Sequence, residues 1–266
     1  MMNQQSTVPQ IDWSRADLLI ELALHEDLDA VGDVTTSAVV PEQATARAVL
    51  RCKEPSMVLA GIEVAEHVFK TVEPKLQFRA LKNDGDTCEY GTLLAEITGP
   101  ARGILVAERT ALNFLQRLCG VATTASKYAK TLEGTNTRIL DTRKTTPGYR
   151  NLEKYAVAVG GATNHRIGLY DQVMIKDNHR EMAAMEGSGG IVRSVQRARD
   201  KHPDLLIEVE ADSLDEVREA LKAGADCIML DNMSDETMAE AVVIVGGKAK
   251  LEASGGITLE RLPRIG

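Results

Sequence analysis

Five short apolar runs in the second half of the chain each deliver polar or charged residues where they end. Residues 138–141 run into Asp141-Thr142-Arg143-Lys144, and residues 172–175 into Lys176-Asp177-Asn178-His179. Residues 205–209 carry Glu208 and finish at Glu210, residues 226–230 finish at Asp231-Asn232, and residues 250–252 lead to Ser254-Gly255-Gly256. Helical patterns lie between them, such as 213–223 ending at Gly224, and 235–245. Parallel strands need a crossover, so strand and helix in alternation predict a parallel sheet. Repeated right-handed crossovers close such a sheet into a barrel or wind it double. In α/β barrels the carboxyl ends of the strands form the working face. One polar flank is ordinary solvated surface; five in register predict a site.

The first part of the chain has a different grammar. Asp12-Trp13-Ser14 opens a helix through His25 with apolar residues at Leu18, Leu19, Leu22 and Leu24. Residues 45–52 alternate as a strand, a helix over 62–70 follows Gly61, and strands over 76–80 and 93–98 flank the turn residues Asn83-Asp84-Gly85-Asp86. Strands and helices that do not alternate strictly predict an α+β sandwich over residues 1–107. A long helix over 108–132 opens the barrel domain, 108–266. A chain of 266 residues suits this pairing of a smaller domain with a barrel.

The charge is unevenly spread. The net charge is -8, which argues against a nucleic-acid partner. Yet residues 138–180 hold eight Lys/Arg against four Asp/Glu, a local +4 that leaves -12 for the rest. A positive segment in an acidic chain predicts an anionic substrate. Arg143 and Arg166 suit bidentate grips on carboxylates, while Lys144 and Lys176 suit phosphates as point charges. Arg138, Arg150 and Lys154 read as solvated surface. Glu210 and Asp231 end neighbouring strands among these cations. They suit magnesium, which takes oxygen ligands, or ribose hydroxyls, or a structural salt bridge. The stretch Glu252-Ala253-Ser254-Gly255-Gly256-Ile257-Thr258 opens a helix, where backbone N–H groups can approach a phosphate. His165 beside Arg166 suits a hydrogen bond to a bound acid. His25 and His67 read as surface or capping residues.

Cys52, Cys88, Cys119 and Cys227 are far apart and form no CxxC pair, so reduced core thiols are expected in a cytoplasmic protein. The start, MMNQQSTVPQIDW, has no basic or apolar leader pattern, and no apolar run approaches the roughly 18 residues of a membrane span. A soluble, unexported protein is expected.

Taken in order, Glu108-Arg109-Thr110-Ala111-Leu112-Asn113, DTRKTTPGYR from Asp141, NHRIGL from Asn164, IKDNH from Ile175, LDN from Leu230 and EASGGI from Glu252 resemble the quinolinate phosphoribosyltransferases. The early EDLDAVGDVTT is similar to that family's N-terminal signature, and the likeness covers nearly the whole chain. The resemblance implies an N-terminal α/β sandwich joined to an open-faced α/β barrel. It implies phosphoribosyl transfer from phosphoribosyl pyrophosphate to quinolinate with decarboxylation, giving nicotinate mononucleotide, pyrophosphate and carbon dioxide for NAD biosynthesis. It also implies Mg2+ and a homodimer, or higher even oligomer, in which Arg109 reaches the partner's site. Arg143, His165, Arg166 and Lys176 would meet the two carboxylates of quinolinate, with Thr142 beside them and Lys144 near both substrates. Glu210 and Asp231 would meet the ribose and magnesium of phosphoribosyl pyrophosphate, and Ser254, Gly255 and Gly256 a phosphate. Lys144, Glu210 and Asp231 are the expected catalytic set.

Gly160-Gly161-Ala162-Thr163 stands where the family commonly has three glycines before Asn164. Relatives continue through a further strand and phosphate loop, so the end of the barrel is expected beyond Gly266. Three other readings remain open at this point: a nicotinate phosphoribosyltransferase without decarboxylation, a Schiff-base aldolase using Lys176, and a non-catalytic nucleotide-binding module.

Overall fold

The computed structural model describes residues 8–266, and the chain divides between His165 and Arg166 into two compact units. The leader-free reading of residues 1–7 lies outside the described residues.

The first unit begins with α1 (Trp13–Leu28) and the short α2 (Val34–Val39), whose N-cap Asp33 accepts from the Thr36 N–H. Then follow β1 (Thr45–Arg51), β2 (Ser56–Val58), α3 (Ile62–Val72), β3 (Gln77–Ala80), β4 (Thr87–Glu89) and β5 (Leu93–Pro100). The strands make two antiparallel sheets, β1-β5-β3 and β2-β4. The unit closes with α4 (Ala101–Lys130) and α5 (Arg150–Val159). Helix α4 buries Ile104, Ala107, Ala111, Phe114, Leu115, Leu118 and Ala122 in the same core as Val64, Val68 and Phe69 of α3. This helix was expected to open at Glu108; it opens at Ala101, directly after Pro100, so position 107/108 falls within it.

Three expectations are corrected in this unit. Leu18 and Leu22 are 67% and 64% exposed, because the buried stripe of α1 runs through Ala16 and Ile20 instead. Residues 138–141 do not form a strand of their own: one parallel bridge, Leu140 to Thr163, is all the pairing they have among the described residues. Lys154 is buried, not solvated, because it answers the carboxylate of Asp141.

The second unit is an α/β layer. Its strands are β6 (Val173–Ile175), β7 (Ile207–Ala211), β8 (Cys227–Asp231) and β9 (Lys250–Ser254), all parallel, in that order across the sheet. Its helices are α6 (Asp177–Ala184), α7 (Gly190–Lys201), α8 (Leu214–Ala223), α9 (Asp235–Val245) and α10 (Leu262–Ile265). Ser213 and Ser234 cap α8 and α9, and Gly224 and Gly246 end them in the left-handed conformation that glycine accepts without strain.

The register sorts the side chains cleanly. Ile175, Ile207, Val209, Ile228 and Leu230 share one core with Ile191 and Val195 of α7, Val217 and Ala220 of α8, and Met238 and Ala241 of α9. The opposite face carries Met174, Glu208 and Glu210, Cys227, Met229 and Asp231, then Lys250, Glu252 and Ser254. Barrels of parallel strands usually fill this face with branched apolar residues. Here it is charged, which suits a polar ligand better than a dry core.

Candidate active site

The first unit supplies a loop held from below. Asp141 accepts from the Lys154 Nζ at 2.5 Å, the Asn164 Nδ2 at 2.8 Å and the His165 backbone N–H at 2.8 Å. Lys154 also donates to the His165 carbonyl at 2.9 Å. Asp141 and Lys154 are thus the frame on which His165 is set, and Asp141 is a structural residue of the Asp-Thr-Arg-Lys run.

Residues 142–148 leave that frame as an irregular loop. The Lys144 N–H donates to Thr142 Oγ1 at 3.1 Å, and the Arg150 guanidinium donates to Thr145 Oγ1 at 3.1 Å and to the Arg143 carbonyl. Glu153, buried on α5, accepts from the Thr146 N–H and hydroxyl at 3.1 and 2.8 Å, and from Arg117 of α4. Burial would push the Glu153 carboxyl up, but these hydrogen bonds and the Arg117 charge outweigh it and hold it below its usual value. Lys144 is exposed, while Arg143 is half-buried. The Arg143 Nε is buried and has no hydrogen-bond partner. A buried guanidinium N–H left unpaired is costly, and a bound anion is the natural acceptor. Arg109 is exposed on α4, and its side chain makes no hydrogen bond or ion pair among the described residues.

The second unit brings together the ends of its strands. Lys176, at the end of β6, donates to Glu210 of β7 at 2.6 Å. Asp231 is in register with Ser254 on the next strand. Gly255 and Gly256 both take positive φ, 80° and 62°, and their carbonyls accept from Arg261, which is anchored on Asp235 of α9 at 2.7 Å. Arg166 donates to the Gln172 carbonyl at 3.2 Å and touches the Met174 sulfur at 3.4 Å. Gln172 in turn donates to Glu208, which has no exposed surface. The Lys176 ammonium is already engaged by a carboxylate, which is the opposite of the free amine that a Schiff-base reading requires.

Several supporting residues were not singled out from the sequence. Arg117, Glu153 and Gln172 act through partners far away in the chain, which composition and spacing do not reveal. Glu208 was legible, since strict alternation in Ile207-Glu208-Val209-Glu210 puts both carboxylates on one face.

The relatives agree in kind. The family described as quinolinate phosphoribosyl transferase, N-terminal domain, matches residues 33–119, and the corresponding C-terminal domain matches residues 121–266. A probable carboxylating nicotinate-nucleotide pyrophosphorylase of Bacillus subtilis is 41% identical over 90% of the chain and 80% of its own length. A chloroplastic carboxylating nicotinate-nucleotide pyrophosphorylase of Arabidopsis thaliana is 40% identical over 93% of the chain and 74% of its own length. Among solved structures, a nicotinate-nucleotide pyrophosphorylase from Francisella tularensis superposes with a TM-score of 0.91 at 37% identity, over 98% of this chain and 90% of that one.

Proposed function

The chain belongs to the quinolinate phosphoribosyltransferase family, and on that premise we propose that it transfers phosphoribosyl from phosphoribosyl pyrophosphate to quinolinate, releasing pyrophosphate and carbon dioxide. The observation that carries the reading is the charged face of the parallel sheet, ending in Lys176, Glu210, Asp231 and the Ser254-Gly255-Gly256 turn.

In this reading Arg143, His165, Arg166 and Lys176 bind the two carboxylates of quinolinate, with Thr142 beside them. The ring nitrogen attacks the anomeric carbon as its bond to pyrophosphate breaks. Positive charge gathers on the sugar, and Glu210 offsets it; negative charge gathers on the leaving group, and Lys144 offsets that. The ring nitrogen is then cationic. The electron pair of the bond to the adjacent carboxylate stays on the ring carbon, stabilised by the neighbouring cationic nitrogen; carbon dioxide leaves, and that carbon takes a proton. No side chain acts as a covalent nucleophile. Ser254, Gly255 and Gly256 bind phosphate.

Glu210 and Asp231 offer hard oxygen donors on one face of adjacent strands, the donor type that magnesium takes, and Lys176 competes for Glu210. They are the proposed magnesium ligands, direct or through water, and the ion would supply charge neutralisation to the pyrophosphate. A homodimer, or higher even oligomer, belongs to the same proposal. An exposed, unengaged Arg109 supports its reaching a second subunit's site. A cytoplasmic location is proposed too: the four cysteines are free, which suits a reducing compartment. Among the described residues, no helix is long and apolar enough to cross a membrane.

The test is Arg143→Ala. Losing one charge-stabilising contact costs on the order of 3 kcal/mol, so kcat/KM for quinolinate should fall by more than about a hundredfold. Unchanged quinolinate affinity and turnover would refute the carboxylate assignment.

A further inference from the structure

Asn232 follows β8 with φ of 54°, and only Asp29 shares a positive φ with it among the described non-glycine residues. Asparagine tolerates the left-handed region better than most residues, but glycine would do so without cost. The side chain therefore needs a reason. Its Nδ2 donates to Asp231 Oδ2 at 2.7 Å. Its Oδ1 lies against Gly255, where any Cβ would collide with it. Its backbone N–H donates to the Ser254 carbonyl at 2.9 Å. One residue thus touches both the carboxylate that ends β8 and the glycine turn that ends β9.

We propose that Asn232 is a positioning residue, holding the Asp231 carboxylate in fixed relation to the Ser254-Gly255-Gly256 turn so that the sugar and phosphate of phosphoribosyl pyrophosphate are gripped in register. The inference rests on the function proposed above. It says that the amide of Asn232 matters for one substrate and not for the other.

The test uses Asn232→Gly, which keeps the left-handed backbone and removes the amide, and Asn232→Ser, which stays neutral and is too short to reach both partners. Each is assayed in steady state for both substrates. Binding of phosphoribosyl pyrophosphate alone is measured by calorimetry, with and without magnesium, where no turnover occurs. Both variants should melt near the parent temperature. KM and Kd for phosphoribosyl pyrophosphate should rise about tenfold, the size of one hydrogen bond to a charged group, with KM for quinolinate within twofold of the parent. Should Asn232→Gly fail to fold, Asn232→Ser carries the comparison. If the parent binds phosphoribosyl pyrophosphate and the folded variants match it, Asn232 only shapes the turn and the proposal is overturned. If the parent itself does not bind it, the function proposal fails and this one falls with it.

Discussion

The Lys154 ammonium stands 2.5 Å from the Asp141 carboxylate, and the two side chains are only 5% and 8% exposed. Asp141 also receives the Asn164 amide and the His165 N–H, so this pair joins α5 to the segment that carries His165. Removing one partner of a buried pair leaves the other charge uncompensated. Lys154→Met should cost about 3–5 kcal/mol, read as a lower urea midpoint. A loss below about 1 kcal/mol would mean that the pair is not buried in solution.

Acid should weaken the carboxylate contacts of both units. Glu153 is held below its usual 4.5 because hydrogen bonds from Arg117 and Thr146 outweigh the upward push of burial. Asp226 is held below 3.8 because the Ile207 N–H and Arg199 outweigh the same push. Each folded value lies beneath the unfolded one. The stabilisation is therefore complete above the usual carboxylate range and is lost as pH falls through the lowered folded values. Circular dichroism against pH should show stability holding down to pH 4.5 and falling below it. Arg117→Ala should lower stability at neutral pH and make the acid fall shallower, because the folded Glu153 value then rises toward the unfolded one.

Two glycines should respond in opposite ways to alanine. A Cβ at Gly160 would collide with the Ala122 carbonyl oxygen and come within 2.8 Å of the Ala125 Cβ, between α5 and α4. Gly160→Ala should destabilise by about 1–3 kcal/mol. Gly120, inside α4, has nothing within 4 Å of its would-be Cβ, so Gly120→Ala should stabilise by about 0.5–1 kcal/mol. Thermal melts of the two variants should move apart.

The thiols should be inert. Burial pushes Cys119 up to about 11, and burial with the nearby Glu208 charge pushes Cys227 up to about 12. Cys52 and Cys88 are buried as well. At pH 8 the folded protein should resist a thiol reagent such as dithionitrobenzoate and keep its activity, with labelling only after denaturation. Rapid labelling of the folded chain at any of these cysteines would contradict the packing described.

Much of the second unit was readable from the sequence. Strands β7, β8 and β9 announce themselves as short apolar runs between helical patterns, and α8 and α9 by their serine caps and closing glycines. The ends of those strands fixed Glu210, Asp231 and Ser254 as a group. The first unit was harder. Strands β2 and β4 have three residues each, too few to show a period. Lys154 and Glu153 look like surface charges until their partners, Asp141 and Arg117, arrive from elsewhere in the chain. Leu18 and Leu22 look like core until Ile20 and Ala16 take that side of α1. Local pattern reveals elements, whereas pairing across the chain decides which charges are buried.

In the proposed reaction this charged sheet end joins quinolinate to phosphoribosyl pyrophosphate with loss of a carboxylate. The direct measurement follows products from quinolinate and phosphoribosyl pyrophosphate, with and without magnesium, with nicotinate as the alternative acid. One carbon dioxide and one pyrophosphate should form per nicotinate mononucleotide, dependent on magnesium, with no turnover of nicotinate. Turnover of nicotinate without carbon dioxide, or no product from quinolinate, would contradict it.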